Sequence, residues 1–167
     1  MGIDPGTINC GCAFLTIRDA KVARVKTQLI KVESKFKIIE RVMIIGDKIR
    51  DLIKEISPDE VAVESLIYVK NPKALIALAQ ARGAILAALG TNYVDRINEY
   101  SPNLAKSLVT GHGHADKEMV QKGLSLSLGI NLTFSSYDES DALLLAMGHW
   151  FQTKNLIPQN KSEFLRL

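Results

Sequence analysis

Four acidic side chains in three separate stretches are the residues best placed to do chemistry. They are Asp4 in GIDPGT, Glu64 in VAVESLIY, and Asp138 and Asp141 in YDESDALLLA. Each follows or interrupts an apolar run, where an ionised carboxylate is costly unless something nearby compensates it. Gathered in one cleft, the four would repel one another, and a divalent cation would compensate them all. A carboxylate set without Cys or His suits a hard, oxygen-liganded ion, Mg²⁺ or Mn²⁺. Two such ions per site suit in-line cleavage of a phosphodiester.

Each acid also has a plainer role. Asp4 can cap the turn made by Pro5 and Gly6. The same GIDPGT resembles the first phosphate loop of actin-like kinases, where Asp and Gly-Thr face nucleotide phosphates. Glu64 can belong to a buried ion pair, although strand alternation turns it away from the face of Val61 and Val63. Asp138 or Ser140 can cap a helix whose dipole favours Asp141 in its first turn. These roles serve singly. They leave unexplained why a Leu-rich helix carries two acids three apart, on one face beside the core.

The remaining chemical residues are weaker signals. Cys10 and Cys12 form a CxC without a second pair, which reads as two small strand residues and suits a reducing cytoplasm. His112 and His114 flank glycines in TGHGHA with no third His nearby, which reads as a loop that moves or touches a backbone phosphate. His149, beside Trp150, reads as structural. Net charge is +3, compatible with nucleic acid without indicating it. Lys35, Lys37, Arg41, Lys48, Arg50 and Lys54 read as one solvated helix face. Lys70, Lys73, Arg82, Lys106 and Lys117 share segments with the motifs and are better placed to meet phosphates.

The elements that must hold these residues follow from periodicity and breakers. At 167 residues, 47% hydrophobic and 23% charged, the chain fits one domain with one core. The nuclease-like domain is expected over 1–157 and a frayed polar tail over 158–167. No apolar run approaches the roughly 18 residues of a membrane span, because Gln80 and Arg82 break the most apolar stretch, and no secretory signal pattern opens the sequence. Strands are expected at 11–18 and 22–32 around a turn at Asp19, Ala20 and Lys21. A helix is expected over 35–56, ended by Ser57-Pro58, then a buried strand over 60–67. Asn71-Pro72 opens an Ala-rich helix that runs to Gly90. A short strand over 93–99 follows, then a helix from Ser101-Pro102 to about Val109 and a loop over 110–115. Helices from about Asp116 to Leu128 and from about Asp138 to Lys154 complete the chain. The order β-β-β-α-β-α-β-α-α-α implies an α/β mixed five-stranded sheet with helices on both faces, and resembles the ribonuclease H-like architecture.

Five segments carry a sharper resemblance: GIDPGT, the glutamate of AVES, NPKALIALAQARGA, SPNLAKSLVTGHGHADKEMV and DESDALLLAMGH. In order and spacing they are similar to the RuvC-type Holliday junction resolvases, over nearly the whole chain. The resemblance implies that Asp4, Glu64, Asp138 and Asp141 are the catalytic metal-binding acids, and that Lys106 and Lys117 assist at phosphate. It also implies a homodimer acting on four-way junction DNA with Mg²⁺, making paired nicks in cooperation with the RuvA–RuvB branch-migration machinery. Two departures stand out. The family's base-contacting aromatic, three positions after the glutamate, falls on Ile67, with Tyr68 next to it. Only Met1, Gly2 and Ile3 precede Asp4, so the first strand is short or the numbering starts late. The competing expectation is another ribonuclease H-like nuclease acting on RNA–DNA hybrids or branched DNA. A kinase fragment would need a duplicated domain and a second phosphate loop, neither of which is evident in the sequence.

Overall fold

The computed structural model describes residues 1–66 and 71–154 of the chain. A five-stranded sheet runs in the order β3-β2-β1-β4-β5. Strands β1 (Gly2–Asp4), β2 (Asn9–Arg18) and β3 (Lys21–Lys31) form an antiparallel meander, while β4 (Val61–Glu64) and β5 (Ile97–Tyr100) continue the sheet in parallel from β1. The β2–β3 turn is made by Asp19 and Ala20, both at positive φ, which matches the twist of the flanking strands. β1 has only three residues, yet β2 and β4 pair with it on both sides. A central strand bonded on both edges keeps its last residue, Asp4, in place despite its length.

Helices α1 (Ile38–Ile56) and α2 (Pro72–Leu89) cover one face of the sheet, packing with Ile3, Cys10, Cys12, Phe14, Val61 and Val63. On the other face, α3 (Pro102–Thr110), α4 (Lys117–Leu128) and α5 (Tyr137–Thr153) pack with Ala13 and Ala62. α5 is the central helix of that layer, and every residue from Ala142 to His149 is buried. Strand alternation thus sorts odd and even positions of β1, β2 and β4 between two cores.

Several boundaries differ from the sequence expectations. α1 starts at Ile38 rather than residue 35. Glu40 reaches back to accept a hydrogen bond from the Lys37 backbone N–H at 2.8 Å, closing the first turn. β4 ends at Glu64, although Ser65 N still donates to Tyr100 O at 2.9 Å. The strand expected at 93–99 is instead a 3-10 helix over Thr91–Arg96 followed by β5. Tyr93 N donates to Gly90 O, so the chain turns on leaving α2 before it can extend. The proline-led helices begin as expected, capped by Asn71 and Ser101. α5 is capped by Ser136, not by Asp138 or Ser140, so Asp138 is not consumed as the cap. The tail expected over 158–167 lies outside the described residues.

Candidate active site

Asp4 ends β1 and Glu64 ends β4, two parallel neighbours, so both carboxylates emerge at the same edge of the sheet. Asp138 and Asp141 lie in the first turns of α5, which crosses β1 and β2 just there. Glycine permits this approach. Gly11 is the register partner of Asp4, and a Cβ on it would stand 1.9 Å from the Asp138 carbonyl oxygen. A Cβ on Gly2 would stand 2.1 Å from the Ala142 carbonyl oxygen. With side chains at these two positions, α5 could not lie flat on the sheet, and its acids would stand away from Asp4.

The electrostatics report the convergence. The Asp4 carboxyl is pushed up to about 9, first by burial and then by Glu64, Asp141 and Asp138, with Cys10 also opposing its ionisation. Glu64 is pushed up to about 7 by burial and by Asp141, against the pull of Lys106. Asp141 is raised by burial, while Lys117 and Lys106 hold it down and Asp138 pushes it up. Acids from three segments therefore feel one another across one site. A cleft of about 190 Å³ beside them is lined by Glu64, Lys106, Lys117 and Asp141, with Ala105 and Leu144 among its apolar walls. A larger concavity of about 410 Å³ lies between Leu86, Val94 and Ile97. Its single charged lining residue, Glu99, faces Arg82, so the chemistry belongs to the smaller cleft.

Among the described residues, no three Asp, Glu, His or Cys side chains are closed around a common point as a finished cation cage. The donor set still fits a hard divalent ion. It is all oxygen and half-buried, and burial together with neighbouring acids raises Asp4, Glu64 and Asp141.

The other expected residues separate clearly. Lys106 and Lys117 face the cleft from α3 and α4. Lys117 Nζ also sits 4.0 Å from the centre of the Tyr137 ring, so an aromatic at the start of α5 holds this cation where it acts on Asp141. Nothing in the sequence marked Tyr137. Only the adjacency of two helix N-termini in space reveals it. Arg82 does not extend to the surface as a phosphate contact would require. Its Nε donates to the Glu64 backbone oxygen at 3.3 Å, and its Nη2 lies 2.7 Å from Glu99 Oε2, close enough for an ion pair though poorly aligned for a hydrogen bond. It thus supports the end of β4 from behind. Lys70, Ile67 and Tyr68 lie outside the described residues.

His149 is structural, as expected. Its Nδ1 shares a hydrogen bond with Tyr100 Oη at 2.7 Å and its Nε2 meets Glu60 Oε2 at 2.6 Å, tying α5 to β5 and to the lead-in of β4. His112 and His114 are exposed and stack edge to face, with ring centres 6.1 Å apart. The Thr110 hydroxyl accepts from His112 N, so their turn is anchored to the end of α3. Cys10 and Cys12 are free and buried in β2.

Comparison with known proteins agrees with this geometry. The family model described as crossover junction endodeoxyribonuclease RuvC matches residues 1–149. Crossover junction endodeoxyribonuclease RuvC of Brachyspira hyodysenteriae is 35% identical over 149 residues, covering 89% of this chain and 91% of that protein. The Wolinella succinogenes protein of the same name is 38% identical over 154 residues, covering 89% and 91%. Among solved structures, Thermus thermophilus RuvC in complex with a Holliday junction substrate superposes with a TM-score of 0.80 at 27% identity, covering 92% of this chain and 93% of that one. The yeast mitochondrial Holliday junction resolvase Ydc2 shares the fold, with a TM-score of 0.63 at 17% identity.

Proposed function

The chain belongs to the RuvC family of crossover junction endodeoxyribonucleases, and we propose that it resolves four-way DNA junctions by paired, symmetric nicks that leave 5′-phosphate and 3′-hydroxyl ends. The observation that carries this reading is the convergence of Asp4, Glu64 and Asp141 from β1, β4 and α5 on one partly buried site, where burial first and neighbouring carboxylates second raise all three. Burial and repulsion oppose ionisation of three carboxylates from distant segments, and a divalent cation would relieve both.

Asp4, Glu64, Asp138 and Asp141 would hold Mg²⁺, two ions per site, with Mn²⁺ able to substitute. Such ions would supply an activated water and stabilise the leaving 3′ oxygen. The protein supplies the rest. Asp4 pairs with Gly11 at the end of a strand that is itself bonded on both edges, and Glu64 pairs with Tyr100 in β5, so two of the acids stand on rigid backbone. Lys106 and Lys117 face the cleft and attract the phosphate. Lys117, held against Tyr137, sits where it can stabilise charge developing on phosphorus oxygens. Leu144, Leu145 and Val120 line the apolar wall, which limits water around these charges.

A junction with two-fold symmetry requires two such sites. We assign them to a homodimer acting in the cytoplasm, with the RuvA–RuvB branch-migration complex as its partner. The test is cleavage of a synthetic mobile four-way junction with Mg²⁺, mapped on all four arms, beside duplex, flap and RNA–DNA hybrid. Paired ligatable nicks confined to the junction are expected. Cleavage of hybrid or flap without junction preference would move the function to another nuclease of the same fold.

A further inference from the structure

We propose that Arg41 and Thr7 form a second phosphate-binding subsite on the α1 side of the catalytic acids, opposite Lys106 and Lys117. The proposal deepens the reading above and rests on it.

The subsite is visible as an arginine without a countercharge. Arg41 lies in the first turns of α1 and is half-buried. Its Nη1 points at the Thr7 hydroxyl, 3.4 Å away, and its Nε is buried with no hydrogen-bond partner among the described residues. No ion pair to Arg41 is present among those residues either. The nearest acid in sequence, Glu40, instead bonds the Lys37 backbone N–H. The Nε is withdrawn from water without an acceptor, while the half-exposed remainder of the guanidinium, with Nη1 beside the Thr7 hydroxyl, keeps N–H donors for a phosphate.

Thr7 gives this fork its place. It follows Asp4 by three residues, in the tight turn between β1 and β2, where a Cβ on Gly6 would stand 1.8 Å from the Asn9 carbonyl oxygen. Three residues of chain span at most about 10 Å. The Arg41–Thr7 contact therefore stands within about one nucleotide step or two of the carboxylate that ends β1. The Thr7 hydroxyl can donate to an anion while it accepts from Arg41. Lys106 and Lys117 occupy the other flank, on α3 and α4. A strand crossing the acids would be held by cations on both sides of its scissile bond. That would fix which phosphate is presented, and in which direction the strand runs.

The probe is the four-way junction in EDTA, so that binding is read without cleavage, with duplex of the same arm sequence alongside. Dissociation constants are measured from about 50 to 200 mM KCl for the wild-type protein and for R41Q, R41K and T7V. The R41Q protein should lose about one from the slope of log affinity against log salt, the signature of one lost phosphate contact. R41K should keep most of that slope, and T7V should weaken binding without changing it. If R41Q leaves the slope unchanged and only lowers the melting temperature, Arg41 is a brace for the turn and the subsite is overturned. The same holds if R41K loses as much slope as R41Q. If wild-type protein binds junction no better than duplex, the resolvase reading fails instead, and the Arg41 slope is still read on duplex.

Discussion

Asp4 carries a carboxyl whose ionisation burial and three neighbouring acids oppose, and its titration can be followed without any substrate. Its carboxyl moves from 3.8 in an ordinary setting to about 9 in the folded, metal-free protein. Between those values the unfolded chain has released a proton that the folded protein keeps, so stability is full at low pH and declines as pH rises through 9. Glu64, raised from 4.5 to about 7, acts in the same direction over a narrower window. The melting temperature in EDTA should therefore fall from about pH 4 to pH 9, and the rise produced by Mg²⁺ should grow over that range. Asp4→Asn should remove much of this dependence and stabilise the metal-free protein at neutral pH by on the order of 3 kcal/mol, while cutting cleavage by more than about 100-fold. A flat profile in EDTA would contradict the convergence of the acids. Lys117 gives a graded test. Losing its charge, as in Lys117→Ala, should cost about 10²- to 10³-fold in single-turnover cleavage with junction binding little changed. Tyr137→Ala loosens it by about 0.5–1 kcal/mol and should cost only about two- to fivefold, with Tyr137→Phe near wild type. Equal losses for Tyr137→Ala and Lys117→Ala would mean that the ring does more than hold the cation.

At the scale of elements, the close seat of α5 on β1 and β2 decides whether the acids meet. Gly11→Ala places a methyl group inside the Asp138 backbone, so α5 must lift or tilt. The expected outcome is a destabilisation of roughly 1–3 kcal/mol together with loss of cleavage that added Mg²⁺ does not recover. Full activity in a Gly11→Ala protein would show that α5 has more freedom than its packing implies. This dependence also shows what was legible in the sequence. The four acids were identifiable because charge within apolar runs is conspicuous in one dimension. Helix starts at Pro72 and Pro102 were legible because Asn-Pro and Ser-Pro act locally. The strand at 93–99 was misplaced because Val94 and Ile97 suggest extension, whereas the backbone bond from Tyr93 to Gly90 forms a turn that composition does not encode. Arg82 drew attention as a cation near the motifs, yet its role is set by Glu99 on β5, a strand away in space and 17 residues away in sequence. The bearing of Gly11 on Asp138 is likewise a contact between segments, invisible until the helix is laid on the sheet.

At the scale of the whole molecule, one helix stands out as incompletely used. α2 is long and apolar enough to pass for a membrane span by composition, despite Gln80 and Arg82, yet only 22% of it is buried in the protomer. Its C-terminal half packs Ala81, Ile85, Ala88 and Leu89 into the core, and Arg82 is tied to β4 and β5. The helix is thereby committed to the domain, while its N-terminal half is only partly covered by the described residues, with Ile76 at 59% exposure. An exposed apolar helix face can be buried against its copy across a two-fold axis, and two sites related by such an axis are what paired incision requires. Ile76→Asp should therefore separate assembly from folding. The melting temperature should fall only by what dimerisation contributes and should lose its dependence on protein concentration, because Ile76 buries little within its own chain. Dimer affinity should fall by about 30-fold or more, as for loss of a central apolar anchor. Light scattering at micromolar concentration should then show a monomer. On a supercoiled cruciform plasmid, that protein should give nicked circles where the wild type gives linear product, since the second cut no longer comes from the same assembly. A dimer that survives Ile76→Asp places the two-fold axis on another face. Linear product from a demonstrated monomer would remove the need for a dimer.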